Sequence, residues 1–464
     1  MSKLSKLLIA AFAILVIAGC ESKEEVLPGL LEVRFLNASP DAPSVNIHVK
    51  GLVGEGSLSG IGYKQGSVAN GQTFIPVRFG GTILQIESVR PEGNELEFEL
   101  SDFAQTDETN YEIILLGKFA DSTLDTLVIS NLQTDVPAGS FRVQFVHASP
   151  DAADLVVYVT APEAMLDGAP SLGPVGFKSA VAPVVYPAGT YQIRVAHASD
   201  PLVAIYDSGP LPLSAGLDFM ITIVKNTATG DAPISLIFED DSIRNEVPDF
   251  NTPAVLRFVN AIPDAPALDL LIDDVLLPEF TGLEFTEVSP YVDLDLDPAL
   301  APETYNLKVV DSPSMLEVIT ADPAVQFGGA NTLIATGRLA DVPLPEFQIP
   351  DDIRPVATEA KLRVVNASNV AGTVDVYIEA PETVIDLTLI RDRLTSQADT
   401  TTYLSLAEGA YEITLTEVDD PTQVINDTMP VAVVNGGIYT AIAIDSIGGI
   451  APVQWILTDD IATP

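Results

Sequence analysis

One stretch decides the fold of this chain: Val33-Arg34-Phe35-Leu36-Asn37-Ala38-Ser39-Pro40-Asp41-Ala42-Pro43, in which an apolar, strand-like segment runs into a Ser-Pro-Asp turn. Proline presets φ for a turn corner, and short side chains such as Ser39 and Asp41 bond to nearby backbone N–H groups. Related stretches follow as Val143-Gln144-Phe145-Val146-His147-Ala148-Ser149-Pro150-Asp151, Leu256-Arg257-Phe258-Val259-Asn260-Ala261-Ile262-Pro263-Asp264 and Leu362-Arg363-Val364-Val365-Asn366-Ala367-Ser368. The chain therefore contains four copies of one unit.

The spacing of these copies gives the size of the unit. From Asn37 to His147, Asn260 and Asn366 the steps are 110, 113 and 106 residues, close to the commonest size of a protein domain. A later apolar segment keeps this register, because it begins at positions 111, 219, 332 and 439. Internal repetition is a stronger guide to architecture than length, so the 464 residues are expected to form four domains.

Each unit has the pattern of β-strands with one buried face. Apolar and polar residues alternate over positions 45–50, and again at 155–159, 268–272 and 374–378, which is the period of a strand. Short apolar runs with 31 Gly and 35 Pro favour an all-β fold with about seven strands per repeat. Residues 380–397 are the best exception, where a brief helix and an extra hairpin are both compatible with the sequence.

The prediction is an all-β chain of four tandem immunoglobulin-like antiparallel β-sandwich domains after an N-terminal signal peptide. Interruptions rich in proline, acids and small residues separate the repeats. The predicted boundaries are 1–19 for the signal peptide, 20–29 for a tether, and 30–136, 139–247, 253–350 and 358–462 for repeats 1 to 4.

The N-terminus resembles a lipoprotein export signal. Residues 2–6 are basic and residues 7–17 are an apolar run that is too short to span a bilayer comfortably. Val16-Ile17-Ala18-Gly19-Cys20 is similar to the lipobox of bacterial lipoproteins, and Cys20 is the single cysteine of the chain. The resemblance implies cleavage before Cys20 and its lipidation with more than one acyl chain, which anchors a protein stably to a membrane.

This anchor predicts a place in the bacterial cell envelope, with the outer membrane favoured. Lys23-Glu24-Glu25 looks like the signal of surface-exported lipoproteins of Bacteroidetes, but periplasmic and surface display both stay open. The formal net charge of −43, from 22 Lys+Arg against 65 Asp+Glu, would repel nucleic acid and anionic membrane surfaces. The membrane is therefore expected as a partner only through the lipid.

The repeated stretch also resembles the domain of unknown function 4397 family of bacterial and archaeal envelope proteins. Arg34-Phe35-Leu36-Asn37-Ala38-Ser39-Pro40-Asp41-Ala42 and the alternating strand after it carry the resemblance, which covers nearly the whole mature chain as four copies. It implies the architecture and an envelope location, and no chemistry. The later copies depart from the pattern, because Ile262 stands at the serine position and Asn369-Val370 replaces Pro-Asp.

Signatures of enzyme sites are missing from the sequence. The three histidines, His48, His147 and His197, occupy different repeat positions, and none has the His-Glu-x-x-His spacing of a zinc site. There is no Gly-x-Ser-x-Gly elbow and no P-loop. We therefore predict that the chain is not an enzyme, and that His147, which replaces an asparagine, makes local hydrogen bonds.

Acidic residues are the candidate metal ligands. Calcium takes six to eight oxygen ligands, and carboxylates clustered at domain junctions could contribute several of them. Paired aspartates begin at 240, 351 and 459, near the ends of three repeats, at spacings of 111 and 108 residues. The candidates are Asp240, Asp241, Asp351 and Asp352 at these junctions, and Asp293, Asp295 and Asp297 on one face of a predicted strand. Solvated surface charges are the alternative, so the prediction is no cofactor, or calcium.

Three functions are compatible with these features. The first is a non-enzymatic, lipid-anchored envelope protein, a rod or chain of sandwiches that presents binding or adhesion surfaces to an extracellular polymer or a protein ligand. The second is a calcium-stiffened structural spacer, and the third is an accessory of a polysaccharide hydrolase. The sequence leaves the ligand, the oligomeric state and the geometry between repeats open.

Overall fold

A computed structural model describes most of the chain after the predicted tether. The described residues are 30–50, 55–67, 75–78, 83–101, 109–132, 134–240, 242–294, 303–321, 324–325, 328–342, 344, 347–395, 398–426, 428–448 and 453–460. They form 38 β-strands and three 3-10 turns, at Pro278–Phe280, Leu339–Asp341 and Leu387–Leu389, with no α-helix among them. The predicted all-β class is confirmed.

Repeats 1 and 2 comprise the first 18 strands. The strands of repeat 1 are β1 (Leu30–Asn37), β2 (Val45–Lys50), β3 (Glu55–Ile61), β4 (Ile75–Arg78), β5 (Ile83–Ser88), β6 (Glu95–Ser101), β7 (Thr109–Leu116) and β8 (Asp125–Leu132). Those of repeat 2 are β9 (Ser140–His147), β10 (Leu155–Thr160), β11 (Ser171–Val175), β12 (Ser179–Ala180), β13 (Val184–Pro187), β14 (Gly189–His197), β15 (Ala204–Leu213), β16 (Asp218–Lys225), β17 (Ile234–Glu239) and β18 (Arg244–Val247).

Repeats 3 and 4 comprise the remaining 20 strands. The strands of repeat 3 are β19 (Ala254–Asn260), β20 (Leu268–Ile272), β21 (Val275–Leu276), β22 (Val292–Leu294), β23 (Glu303–Thr304), β24 (Leu307–Asp311), β25 (Glu317–Ala321), β26 (Ala324–Val325), β27 (Ala330–Ala335) and β28 (Gln348–Asp351). Those of repeat 4 are β29 (Ala360–Asn366), β30 (Val374–Glu379), β31 (Asp392–Leu394), β32 (Asp399–Thr400), β33 (Leu404–Leu406), β34 (Gly409–Glu417), β35 (Asp420–Val424), β36 (Met429–Val433), β37 (Ile438–Ile444) and β38 (Gln454–Asp459).

Two sheets pack against each other in each repeat. In repeat 1 the opening sheet has the order β4-β1-β7-β8 and the second sheet has the order β3-β2-β5-β6. The other repeats follow the same plan, and repeat 3 adds a two-stranded sheet, β23-β26. The opening strand lies parallel to a late strand, as β1 does to β7, a pairing that requires a long connection. The sequence pattern predicted antiparallel sheets, so it did not predict this parallel pair of strands. All four repeats exceed seven strands, and repeats 2 to 4 have ten each partly because strands are interrupted, as where β12 and β13 both pair with β9.

The inner faces of the two sheets form one hydrophobic core in each repeat. Val33 and Phe35 of the opening strand pack with Val45 and Ile47 of the second strand, and all four side chains are buried. Equivalent clusters fill the other three repeats. The alternation read from the sequence therefore identifies the core face of the strands. The predicted limits of the repeats stay a proposal.

The Ser-Pro-Asp stretch is a structural turn. Asn37 donates its side-chain amide to the Ile61 carbonyl at 3.2 Å and accepts the Ser39 N–H at 3.2 Å. The Asp41 carboxylate accepts the N–H groups of Phe119 and Ala120 at 2.7 and 3.0 Å. These bonds connect the opening strand to the loop that follows the late strand of the same sheet.

His147 performs the role of the asparagine in repeat 2. Its Nδ1 accepts the Ser149 N–H at 3.3 Å, and its Nε2 lies 3.2 Å from the Ala153 carbonyl. Burial, the largest influence, lowers the pKa of this imidazole, so the ring is neutral and can accept at one nitrogen while donating at the other. The local hydrogen-bonding role predicted for His147 is what the structure shows.

The exception at residues 380–397 is neither the predicted helix nor a plain hairpin. The chain forms a 3-10 turn at Leu387–Leu389 and then strand β31, with residues 396–397 outside the described part. Asp386 caps this turn by accepting the Thr388 N–H at 2.8 Å. No helix in the described part of the chain is both long and apolar enough to cross a membrane.

The opening sheets pack against each other in pairs. One apolar cluster joins repeats 1 and 2 and includes Leu36 and Ile114 with Val146 and Ile237. A second cluster joins repeats 3 and 4. The opening strand is therefore buried on both faces. The sequence pattern identified this strand only as apolar and did not predict the second buried face, which lies against the neighbouring repeat.

The asparagine of the turn is expected to stabilise its repeat. Asn260 is buried, accepts the Ile262 N–H at 3.1 Å and donates to the Leu283 carbonyl at 2.9 Å. Asn260→Ala should destabilise repeat 3 by about 2–3 kcal/mol, because two buried hydrogen bonds are lost and their partners stay buried. Hydrogen exchange of repeat 3 peptides measures this loss. His147→Asn is the matched control and should change repeat 2 by less than about 1 kcal/mol. If Asn260→Ala and His147→Asn destabilised their repeats equally, the asparagine and the histidine would not have the same role at this position.

Candidate functional sites at the repeat interfaces, the central cleft and the exposed loops

Asp351, a predicted calcium ligand, lies at the interface between repeats 3 and 4. Its side chain has no solvent-exposed area and forms an ion pair with Arg363 of repeat 4. It also accepts the hydroxyl groups of Thr332 at 2.7 Å and Tyr291 at 2.8 Å. Its charge is therefore neutralised by a neighbouring repeat.

A second set of residues repeats this arrangement in the opposite direction. Asp460 of repeat 4 binds Arg257 of repeat 3 at 2.8 Å, and accepts the hydroxyls of Thr440 at 2.5 Å and Tyr403 at 3.0 Å. Each repeat thus contributes one arginine, one threonine, one tyrosine and one aspartate, and the two ion pairs cross the interface. We call these eight residues the repeat 3–4 network: Arg257, Tyr291, Thr332, Asp351, Arg363, Tyr403, Thr440 and Asp460.

Aromatic rings shield this network from water. The guanidinium carbon of Arg257 lies 4.6 Å from the ring centre of Tyr291, and that of Arg363 lies 4.6 Å from the ring centre of Tyr403. Burial, followed by the nearby aspartates, raises the pKa of both tyrosines. Both hydroxyls therefore stay protonated and can donate to the carboxylates. Although burial lowers the pKa of Arg257, its pKa is raised overall by Asp460.

The other predicted calcium ligands are distributed over separate places. Asp352 binds Lys361 at 2.5 Å with its side chain 46% exposed, and Asp240 caps its own turn by accepting the Ser242 and Ile243 N–H groups. Asp293 is exposed. Asp241, Asp295 and Asp297 lie outside the described residues. Within the part of the chain that the structure describes, no three or more His, Cys, Asp or Glu residues are grouped so as to hold a metal ion. Calcium binding stays a prediction.

Repeats 1 and 2 are joined by a different set of charges. Arg34 binds Glu112 of its own repeat at 2.8 Å and lies 3.6 Å from Glu239 of repeat 2. Glu239 also forms an ion pair with Arg244, whose guanidinium reaches the Phe35 carbonyl of repeat 1 at 3.1 Å. Burial and then Glu112 raise the pKa of Glu239 to about 8. The repeat 1–2 interface therefore places two carboxylates between two arginines, without the crossed pattern.

A cleft of about 800 Å³ lies where repeat 2 meets repeat 3. Asp207 and Asp249 line it together with the linker between the two repeats. The Asp207 N–H donates to the Asp249 carboxylate at 2.7 Å, and the Phe250 N–H donates to the Asp207 carbonyl at 2.7 Å. The Asp207 carboxylate accepts the Gln192 amide at 2.7 Å. These polar groups hold the linker against repeat 2, so they form a structural junction.

Two loops of equivalent sequence project from repeats 2 and 4. The sequence pattern singled out only the second, within residues 380–397, and gave it no function. We call them the matched loops: Ala161-Pro162-Glu163-Ala164-Met165-Leu166-Asp167 and Ala380-Pro381-Glu382-Thr383-Val384-Ile385-Asp386. Both begin with a turn in which the fourth residue donates to the first carbonyl at 3.2 Å, and the glutamates have φ of 61° and 65°. Met165 is 81% exposed and Val384 is 88% exposed, the highest values among large apolar side chains in the described residues. Ala-Pro-Glu recurs after 219 residues and also occurs at residues 301–303, so the signal is its position directly after the second strand of repeats 2 and 4.

Asp351→Asn is expected to destabilise the repeat 3–4 interface. The substitution removes the nearer counter-charge of the buried Arg363 and leaves only Asp460, at 3.9 Å, and breaking a buried ion pair from one side costs about 3–5 kcal/mol. Urea unfolding followed by the fluorescence of Trp455, the single tryptophan, reports the stability of repeat 4. Asp352→Asn is the matched control at the adjacent position, and should cost about 1 kcal/mol or less because its carboxylate is half exposed. Equal losses from both variants would contradict the network.

Several solved structures are distantly similar to this chain. The Bacillus anthracis TIE protein is 11% identical, with 91% of this chain and 76% of that one covered and a TM-score of 0.15. The fimbrial anchor protein Mfa2 from Porphyromonas gingivalis is 10% identical, with 47% and 99% covered and a TM-score of 0.13. A streptococcal ancillary pilin is 10% identical, with 64% and 96% covered and a TM-score of 0.13. TM-scores this low carry no inference about function. No curated protein matches the sequence significantly.

A family model does match the sequence, in two places. The model described as "Domain of unknown function (DUF4397)" matches residues 31–158 and 254–377, which together make up more than half of the chain. Both matches begin in the opening strand of an odd-numbered repeat and end in the second strand of the next repeat. The period of the matches is therefore two repeats, which is also the period of the face-to-face packing. The chain belongs to the DUF4397 family.

Proposed function

We propose that this chain is a non-enzymatic, lipid-anchored protein of the bacterial cell envelope whose paired β-sandwiches present binding or adhesion surfaces to an extracellular partner. The observation that carries the proposal is the face-to-face packing of the repeats, in which charged and aromatic groups are buried in the repeat 3–4 network. These groups join repeats together and are inaccessible to a substrate. The lipobox ending at Cys20 supports the envelope location.

The packing also favours display over mechanical reach. A spacer gains length by placing its domains end to end, whereas here repeats 1 and 2, and repeats 3 and 4, pack through their opening sheets. The two pairs are also in contact, because Arg354 donates to the carbonyls of Pro40 and Ala42 at 3.2 and 3.1 Å, and the Ala357 N–H donates to the Asp41 carbonyl at 2.8 Å. The array is thus better suited to hold surfaces in fixed positions than to span a distance.

The location is tested by removing the lipidation site. Wild type should sediment with membranes and be released by detergent, and Cys20→Ser should lose this association because it has no thiol for the lipid. Ser22→Ala, two residues away, is the matched control and should sediment like wild type. Protease treatment of intact cells then distinguishes surface display, with cleavage, from a periplasmic location. If Cys20→Ser stays membrane-bound, the proposed anchor is wrong.

Calcium addition tests the spacer alternative. We expect no change in Tm between chelator and roughly millimolar calcium, the range typical of extracellular calcium modules, because the Asp351 and Asp352 carboxylates already bind Arg363 and Lys361. Differential scanning calorimetry measures the difference, with magnesium at the same ionic strength as the control. A rise in Tm specific to calcium would favour the calcium-stiffened spacer and would assign ligands among the remaining predicted aspartates.

A further inference from the structure

The matched loops occur once in each pair of repeats. In repeats 2 and 4 they follow the second strand, after Thr160 and Glu379 respectively. Repeat 3 closes the equivalent position with a tight turn, in which Asp273 and Asp274 connect β20 to β21 with positive φ at both residues. In repeat 1 only residues 51–54 separate β2 from β3. The matched loops therefore follow the two-repeat period and are not a requirement of the sandwich fold.

The backbone of each loop is held in place by hydrogen bonds. In repeat 2 the Glu163 N–H donates to the Gln192 side chain at 2.7 Å, and Leu166 packs on Val156 and Tyr158 of the second sheet. In repeat 4 the Asp386 carbonyl accepts the Leu389 N–H at 3.0 Å, in addition to the cap made by its side chain. An ordered backbone therefore presents each exposed tip.

The conformation of the tips is unusual for their residues. The carbonyl of Ala161 or Ala380 accepts from the residue three positions later, and the glutamate between them adopts a left-handed φ. This turn geometry normally has glycine or asparagine at that position, and nine other non-glycine residues in the described part of the chain also have positive φ. Single exposed apolar side chains are common on protein surfaces. Met165 and Val384 are the two most exposed large apolar side chains among the described residues, and they lie at equivalent positions of the two loops. The ordinary scatter of apolar side chains on a surface does not explain this coincidence.

We infer that the matched loops are docking tips, each of which packs its exposed apolar side chain, Met165 or Val384, against apolar residues bordered by basic groups on a partner protein. This inference rests on the proposed function, and it names the class of partner. The basic border is argued from charge, because Glu163 and Asp167 flank Met165 and Glu382 and Asp386 flank Val384 at the same spacing. The same acids and the net charge of −43 oppose docking on nucleic acid or an anionic membrane.

A peptide library displayed on phage provides the probe. The intact mature chain is immobilised, and selected peptides are synthesised and titrated by calorimetry. We expect peptides that place a lysine or arginine next to an apolar residue, and a stoichiometry of two per chain. Met165→Ser and Val384→Ser should each reduce the stoichiometry to one, and the double variant should bind none. The variants Glu163→Gln and Glu382→Gln should weaken binding and reduce its dependence on salt.

Met315→Ser is the matched control. Met315 is 52% exposed and also has a left-handed φ of 57°, but it lies in a turn of repeat 3 outside the matched loops. Its substitution should leave the stoichiometry at two. Thermal unfolding of every variant should match wild type, because substitutions of exposed side chains rarely alter stability. A change in Tm would show that the tips are structural, and would overturn the inference.

Three outcomes overturn the inference in distinguishable ways. If the selected peptides bind the double variant as tightly as wild type, the tips are not the binding site, and the proposed display function is unaffected. The selection of no peptides by wild type overturns the docking tips, whereas the proposed function is judged separately by the Cys20→Ser and protease experiments. Binding to phosphatidylcholine vesicles that is lost in the double variant assigns the tips to a lipid surface and excludes the protein partner.

Discussion

The structure depends on the burial of each opening strand on both faces. One face packs into the core of its own sandwich, and the other packs against the opening sheet of a neighbouring repeat. A single repeat would expose that second face to water, and burying one apolar side chain of valine or leucine size is worth roughly 1.5–3 kcal/mol. Pairing follows from this cost. The four repeats are therefore organised as two pairs, 1 with 2 and 3 with 4.

Charges make this apolar pairing selective. In repeats 3 and 4, the closest ion pairs of Arg257 and Arg363 cross the interface, to Asp460 and Asp351. In repeats 1 and 2, Glu239 meets Arg34 from the other repeat and Arg244 from its own. A pairing of repeat 1 with repeat 4 would not reproduce either arrangement and would bury charges without partners, which is strongly unfavourable. The different networks thus specify which opening sheets combine.

The same packing separates structural residues from accessible ones. The aspartates at the end of repeat 3 are engaged by cationic side chains of repeat 4, so carboxylates that resembled calcium ligands serve as junction residues. The polar groups of the central cleft are likewise engaged, with Asp249 holding the linker to Asp207. The matched loops lie apart from these contacts. The charged groups at the interfaces bind each other. The elements that differ between repeats and are exposed to solvent are therefore the loops.

The sequence by itself determined the number of repeats, their register and the core face of their strands. This information is local, because the alternation of Val45, Ile47 and Val49 and the turn after Asn37 depend on neighbouring residues. It also identified His147 as a hydrogen-bonding substitute for asparagine. The sequence alone could not assign Arg363 and Asp460, which read as surface charges because their partners lie in another repeat or far along the chain.

Only the tertiary structure decided that the repeats pair and that the outward face of the opening strand is buried. Burial of that face depends on contacts such as those of Leu36 with repeat 2 and Val365 with repeat 3. The alternation of side chains within one strand does not predict contacts with another repeat. The exposure of Met165 and Val384 was hidden for the same reason, since an apolar residue in a sequence is expected in a core until the surrounding surface is known. Side-chain periodicity is a property of a single strand, whereas burial and ion pairing are properties of the surfaces that meet it.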